Sequence, residues 1–314
     1  SQQGVISLEP ISIGSDPKWV QWFFKSITEE PCLSFAYTQC GQENSFTWEA
    51  FAKGFVFQID YIAKLVADGK ITAETLAQTG RWFRSQYQLT PATAVIATKD
   101  WKQEGRQTVW YNSRFYRMNL LWESEGFRIR DIHIFDQNYL DPYLNTPLME
   151  TACKYDALPV VDGFLWSQVG DLAGIRLVTM EGPDENIIQV GPPSISKIDN
   201  SNLLVVCTIK PQGTFEIHCM EGKVVIRLFG VPKKNRYALL LKWSPNSSVP
   251  FQSIEPQFLD CLHRGFHYQV KCHQGHFENK NRPGKDSDHN FKENEILIIP
   301  DENTIILDFI NSKK

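Results

Sequence analysis

The sequence predicts an α+β fold: a front region with two helices and strands, followed by an antiparallel β-sandwich-like domain. Three observations predict it. Phe51, Phe55, Ile59, Ile62, Ala63 and Val66 recur at three- and four-residue steps, as on one face of a helix. From Thr108 onward the apolar period falls to two, as in half-buried strands. Turn dipeptides, Asp162-Gly163, Gln212-Gly213 and Glu221-Gly222, separate the apolar runs that follow.

Taken in order, residues 31–37 form a short apolar run expected to be a strand. The first helix covers about residues 47–67 and is stopped by Asp68-Gly69. A second opens at Thr72, an N-cap followed by Glu74, shows a face of Leu76, Phe83 and Tyr87, and ends before Pro91. Two helices between the strands at 31–37 and 93–97 suggest α/β organisation, or else a helical hairpin packed on the later sheet. Residues 108–111, 116–123 and 127–135 read as strands, the last two joined by a hairpin turn at Ser124-Glu125-Gly126. Further strands are expected at 175–180, 203–209, 214–220, 223–229, 237–243, 266–272, 295–299 and 304–309. Residues 276–294 are polar, carry Arg282-Pro283-Gly284 and read as a long loop. The simplest division lies near Gln168–Asp171 and gives a front region of residues 1–170 and a β-domain of residues 171–314.

Composition narrows the function classes. A chain of 314 residues with 42% hydrophobic and 22% charged residues can bury a sizeable core, which rules out wholesale disorder. A net charge of −4 supplies no broad phosphate-neutralising surface, so no nucleic-acid partner is expected. No run approaches the roughly 18 apolar residues of a membrane span, and a soluble chain is expected. The start at Ser1 has neither the basic opening nor the apolar block of a signal peptide, as expected of a mature form or a fragment. Seven Cys without a C-x-x-C pair read as buried reduced thiols, with Cys32 and Cys40 as the one bridge left open.

Ligand-capable residues are densest at Trp110-Tyr111-Asn112-Ser113-Arg114-Phe115-Tyr116-Arg117. Sugars are held by such sets, the ring's apolar face on an aromatic and its hydroxyls on guanidinium and amide groups. The plainer reading is an amphipathic strand with solvated Arg side chains. In Phe127-Arg128-Ile129-Arg130-Asp131-Ile132-His133-Ile134-Phe135, a regular strand puts Phe127, Ile129, Asp131, His133 and Phe135 on one face. Asp131 and His133 then stand about 6–7 Å apart at the backbone amid apolar neighbours. Burying both is costly unless they are paired or used, so they form either a structural bond, with Arg as a candidate partner, or a site. Asp136, Asp141 and Asp162 add carboxylates close by, Asp162 in a strand running into Asp-Gly with Trp166 just beyond. For Asp162 alone the tight-turn reading is the preferred one.

Glycosidic cleavage needs two carboxylates, one protonated and one ionised, about 5 to 9.5 Å apart. In general character residues 110–117, 131–136 and 162–166 resemble bacterial carbohydrate-active enzymes that join an α/β or barrel catalytic part to a C-terminal β-sandwich. The reading is a glycoside hydrolase acting on an oligosaccharide or polysaccharide, with no cofactor and no metal. Acid/base work would fall to a pair among Asp131, Asp136 and Asp162, with His133 orienting or tuning one of them. Trp110, Tyr111, Arg114, Arg117 and Trp166 would bind substrate. One alternative is a non-catalytic glycan-binding or structural β-protein in which the carboxylates only bridge. Another is a metal-dependent enzyme using Cys261, His263, His267, Cys272, His273 and His276, although their spacing fits no standard zinc site. Glycan work suggests a periplasmic or secreted location, and unpaired thiols suggest the cytoplasm. Dinucleotide, P-loop, zincin and α/β-hydrolase signatures do not occur.

Overall fold

The computed structural model describes residues 9–40, 47–141, 143–147, 149, 156–181, 184–279 and 294–311. It is an α+β fold in which, among the described residues, the helices all precede the first strand. A 3-10 turn at Pro10–Ile13 leads into α1 (Pro17–Thr28), which sequence periodicity had not signalled. Pro17 opens α1, and the Asp16 carboxylate accepts the Lys18 N–H at 2.8 Å, a standard N-cap. Helix α2 (Trp48–Ala67) follows, then α3 (Leu76–Gln86). The cap of α3 is Thr75 rather than Thr72, because Gln78 three residues on returns its side chain to the Thr75 N–H and closes a capping box. Trp19, Val20 and Phe24 of α1 pack with Leu65 of α2 in a core of their own.

The strands are β1 (Thr93–Ala97), β2 (Gln107–Asn112), β3 (Tyr116–Glu123), β4 (Gly126–Ile134), β5 (Leu158–Asp162) and β6 (Gly174–Glu181). Next come β7 (Asp184–Ile187), β8 (Val190–Lys197), β9 (Leu203–Ile209), β10 (Thr214–Cys219), β11 (Lys223–Phe229) and β12 (Arg236–Lys242). The last are β13 (Phe251–Glu255), β14 (Phe258–His263), β15 (Phe266–Gln274), β16 (His276–Asn279), β17 (Glu295–Ile299) and β18 (Thr304–Asp308). Ten build a sheet in the order β1-β2-β3-β4-β6-β12-β17-β16, with β5 also on β4 and β7 also on β6. Eight build a second sheet in the order β13-β14-β15-β18-β11-β10-β9-β8. Residues 31–37 are not a strand: Leu33 makes a single bridge to Thr93, and its positive φ of 66° breaks the extended run.

The two sheets face each other over one core, with Phe127 against Phe215 and Tyr116 against Phe309. Burying each such side chain stabilises the sandwich by about 1.5–3 kcal/mol. Long aromatic residues also cross the gap and end in hydrogen bonds to the opposite sheet's backbone. Tyr111 Oη donates to Ser201 O at 2.8 Å, Tyr116 Oη to Lys223 O at 3.1 Å and Trp122 Nε1 to Gly191 O at 2.9 Å. In the other direction Tyr268 Oη donates to Pro159 O at 2.6 Å. The sheet also runs across residue 170, since Ile129 of β4 pairs with Ile175 of β6.

Cys32 and Cys40 are both free, so the bridge left open between them does not form, and Cys207, Cys219, Cys261 and Cys272 are buried thiols. Of the polar stretch 276–294, residues 276–279 are strand β16, and 280–293 lie outside the described residues. No helix among the described residues is long and apolar enough to cross a membrane.

Candidate functional site

The site is built on the β3–β4 hairpin. Glu123 pairs with Gly126 around the Ser124-Glu125 turn, and Gly126 takes a φ of 98° that a side chain would strain. Halfway along β4 the pairing slips: Leu120 faces Ile129, but Asn119 faces Asp131, leaving Arg130 as an extra residue. This bulge reverses the strand's parity. Phe127 and Ile129 enter the sandwich core before it, and Ile132 and Ile134 enter it after. Asp131 and His133 therefore do not share a face with Phe127 and Ile129, as a regular strand would require. They point to the outer face of the ten-stranded sheet. A second bulge on β5, where Val160 is unpaired between Val161 and Pro159, brings Asp162 opposite Asp131.

On that face the register lines up a row: Val95, Trp110, Asn119, Asp131 and Asp162 are successive cross-strand partners from β1 to β5. A second row runs Asn112, Arg117, His133 and Pro159. Asp131, His133 and Asp162 are only 4%, 5% and 7% exposed, while Trp110 and Arg117 are half-buried. Arg117 donates to His133 Nδ1 from Nε at 3.0 Å and lies 2.7 Å from it with Nη2. An Nδ1 that accepts forces the neutral imidazole to carry its proton on Nε2. Nε2 stands 3.4 Å from Asp162 Oδ2, too long for a short hydrogen bond and without another partner, so the contact is electrostatic. Asp162 Oδ1 accepts the N–H groups of Phe164 (3.0 Å) and Leu165 (2.7 Å), so its turn chemistry and its pairing coexist. Asp131 Oδ1 accepts the Gly163 N–H at 3.0 Å, and its Oδ2 lies 3.3 Å from Arg130 Nη1. Only glycine fits at 163, because a Cβ there would stand 2.7 Å from the Arg130 carbonyl oxygen.

Burial pushes the Asp162 carboxyl up, but His133 and the two backbone amides outweigh it and hold the group below its ordinary range. Arg130 thus faces Asp131, Arg117 faces His133, and His133 with two backbone amides faces Asp162. Asp131, His133 and Asp162 have metal-capable atoms within 4.8 Å of one another. They do not fit a resident divalent cation: Arg130 already faces Asp131, two backbone amides hold Asp162, and Arg117 on Nδ1 keeps the proton on the nitrogen a metal would need.

The other expected site residues lie elsewhere. Asp136 caps its own turn by accepting from Asn138 N and Nδ2, outside the Asp131–His133–Asp162 group. Tyr111 points into the core, one residue out of step with Trp110, and Trp166 is buried against Trp243 and Phe251, so neither offers a surface for a sugar. Arg114 is exposed, pairs with Glu221 at 2.8 Å and covers the Phe115 ring. In the C-terminal cluster Cys261 and Cys272 are buried, His263 pairs with Asp156 and His273 with Asp308. Among the described residues that cluster presents no metal-capable group. Sequence reading missed Arg130, Asn119 and Gly163. The Asp-Gly dipeptide beside a strand was the available signal for Gly163, and nothing in the sequence marked the bulge that gives Arg130 its role. Compared with models of known protein families and with curated proteins, the chain matches none.

Proposed function

We propose that this chain is a glycan-binding β-sandwich protein that holds its ligand against Trp110 and Arg117 on the outer face of the ten-stranded sheet. The observation that carries the reading is that Arg117 lies 5.7 Å from the centre of the Trp110 ring while its nitrogens are fixed on His133. An indole and a guanidinium held in place on neighbouring strands lose little freedom when a sugar ring stacks on one and hydrogen-bonds the other. Asp131, His133 and Asp162 lie beneath as support. Tryptophan fluorescence and calorimetry against a panel of oligosaccharides test it. Binding is expected for at least one glycan and weakens roughly tenfold or more in Trp110→Ala. Unchanged affinity in that variant, or no glycan bound at all, defeats the proposal.

A second reading, glycosidic hydrolysis, draws on the register that sets Asp131 opposite Asp162 on adjacent strands. In it one carboxylate, protonated, donates its proton to the leaving oxygen while the other attacks the anomeric carbon and is later released by water, as the short separation of a retaining enzyme requires. Asp131→Asn then lowers cleavage by about 10²-fold or more while glycan affinity persists. Absence of cleavage by the parent protein over the same panel removes this reading and leaves the first untouched.

A further inference from the structure

We infer that the ligand of the Trp110–Arg117 face is an acidic oligosaccharide, a sugar carboxylate on Arg117 between two aromatic platforms, Trp110 and Phe135. The inference rests on the glycan reading above and names the class of sugar. A guanidinium carries five N–H donors. Arg117 turns one edge, Nε and Nη2, towards His133 Nδ1. An imidazole nitrogen in that position answers the hydrogen bond but not the charge. Among the described residues the nearby carboxylates have other partners: Glu221 pairs with Arg114, Asp131 with Arg130, and Asp162 with two backbone amides and His133. Arg117 is thus left half-buried with its charge unmatched. Its end-on edge, one N–H from Nη1 and one from Nη2, is the fork that meets both oxygens of a carboxylate at once. A neutral sugar hydroxyl fills one arm of that fork and leaves the charge as it was.

The aromatic neighbours set the length of the ligand. Beyond the β4 bulge Phe135 shares the outer face with Asp131 and His133, and its N–H donates to Phe115 O at 2.8 Å, so β3 and β4 stay paired through it. Its ring is 41% exposed. Asn112, Arg117 and His133 form one row across the strands. Trp110 therefore lies one diagonal step from Arg117 on one side, and Phe135 one diagonal step on the other. At about 7–8 Å a step the two rings stand about 15 Å apart with the guanidinium between them. A single sugar covers one ring, whereas a short chain of sugars reaches both and lays a carboxylate over Arg117.

Calorimetry of the whole chain at low salt tests this with trimers of galacturonic, glucuronic and mannuronic acid. Each is compared with the same trimer after its carboxyl groups are reduced to alcohols. At least one acidic trimer is expected to bind roughly tenfold or more tighter than its reduced partner, and that advantage should shrink as salt is added. Arg117→Gln is expected to level the pair. Phe135→Ala, at an exposed position, should weaken the acidic trimer severalfold and does not depend on how the Arg117 variant folds. Reduced trimers that bind as tightly as the acids overturn the inference and leave the glycan reading standing. An acid advantage that survives Arg117→Gln, or an affinity that Phe135→Ala does not move, overturns it equally. No affinity for any glycan, acidic or neutral, removes both readings.

Discussion

Arg117 reaches from β3 to the Nδ1 atom of His133, and this single contact decides where the imidazole proton sits and what faces Asp162. Arg117→Ala leaves the buried His133 Nδ1 without its donor, and a cost of about 1–3 kcal/mol in urea unfolding is expected. Arg117→Lys recovers only part of it, because an ammonium lacks the planar pair of donors. Asp162, held below the ordinary carboxylate range, contributes stability that is present above its unfolded pKa and lost as pH falls through its folded pKa. The stability difference between the parent and Asp162→Asn should thus be level through neutral pH and shrink below about pH 4. A difference that instead grows towards acid would contradict a carboxyl held below its ordinary range. The polar pair at 131 and 133 was legible from residue type alone. Its arginine partners were not, since sequence does not show which of Arg114, Arg117, Arg128 and Arg130 points inward.

At the scale of the element, the β4 bulge decides which face the network occupies. Strict alternation through residues 127–135 assigns Phe127, Ile129, Asp131 and His133 to one side, and an extra unpaired residue separates the two halves of that set. Deleting Arg130 should make the alternation strict with Ile129, Ile132 and Ile134 still inward and Asp131 and His133 still on the outer face, so the variant folds cooperatively but melts at a lower temperature for want of the Arg130–Asp131 contact. A folded deletion variant of near-parental melting temperature would show that the bulge is dispensable. The strand count was legible where apolar residues alternate strongly, as in β3, β9, β10 and β18. It was not legible in β13 and β14, where a turn of two residues separates strands of mixed polarity. Helix α1 escaped because its buried set, Trp19, Val20 and Phe24, spans barely two turns.

For the whole molecule, the ten-stranded sheet draws strands from both the front and the rear of the chain. Strands β6, β7, β12, β16 and β17, all later than residue 170, extend a sheet whose other members come earlier. The change from helices to strands along the chain was readable, but which strands share a sheet was not, because pairing depends on topology that periodicity does not carry. Residues 171–314 expressed alone would leave β6 without β4 and strip Tyr116, Met118 and Phe127 from the shared core. That fragment is expected to lack a cooperative unfolding transition by circular dichroism. A sharp transition near the parental temperature would mean that the rear strands suffice.

The aromatic side chains that cross the sandwich also make it a proton counter at high pH. Burial raises the phenols of Tyr111, Tyr116 and Tyr268 far above their usual range, so the folded state keeps them neutral. Once unfolded they ionise near pH 10. Their contribution to stability is complete below that pH and drains away as pH rises beyond it. Tyrosinate absorbance followed during an alkaline titration should therefore rise in two stages, the exposed phenols first and these three only as the two sheets part.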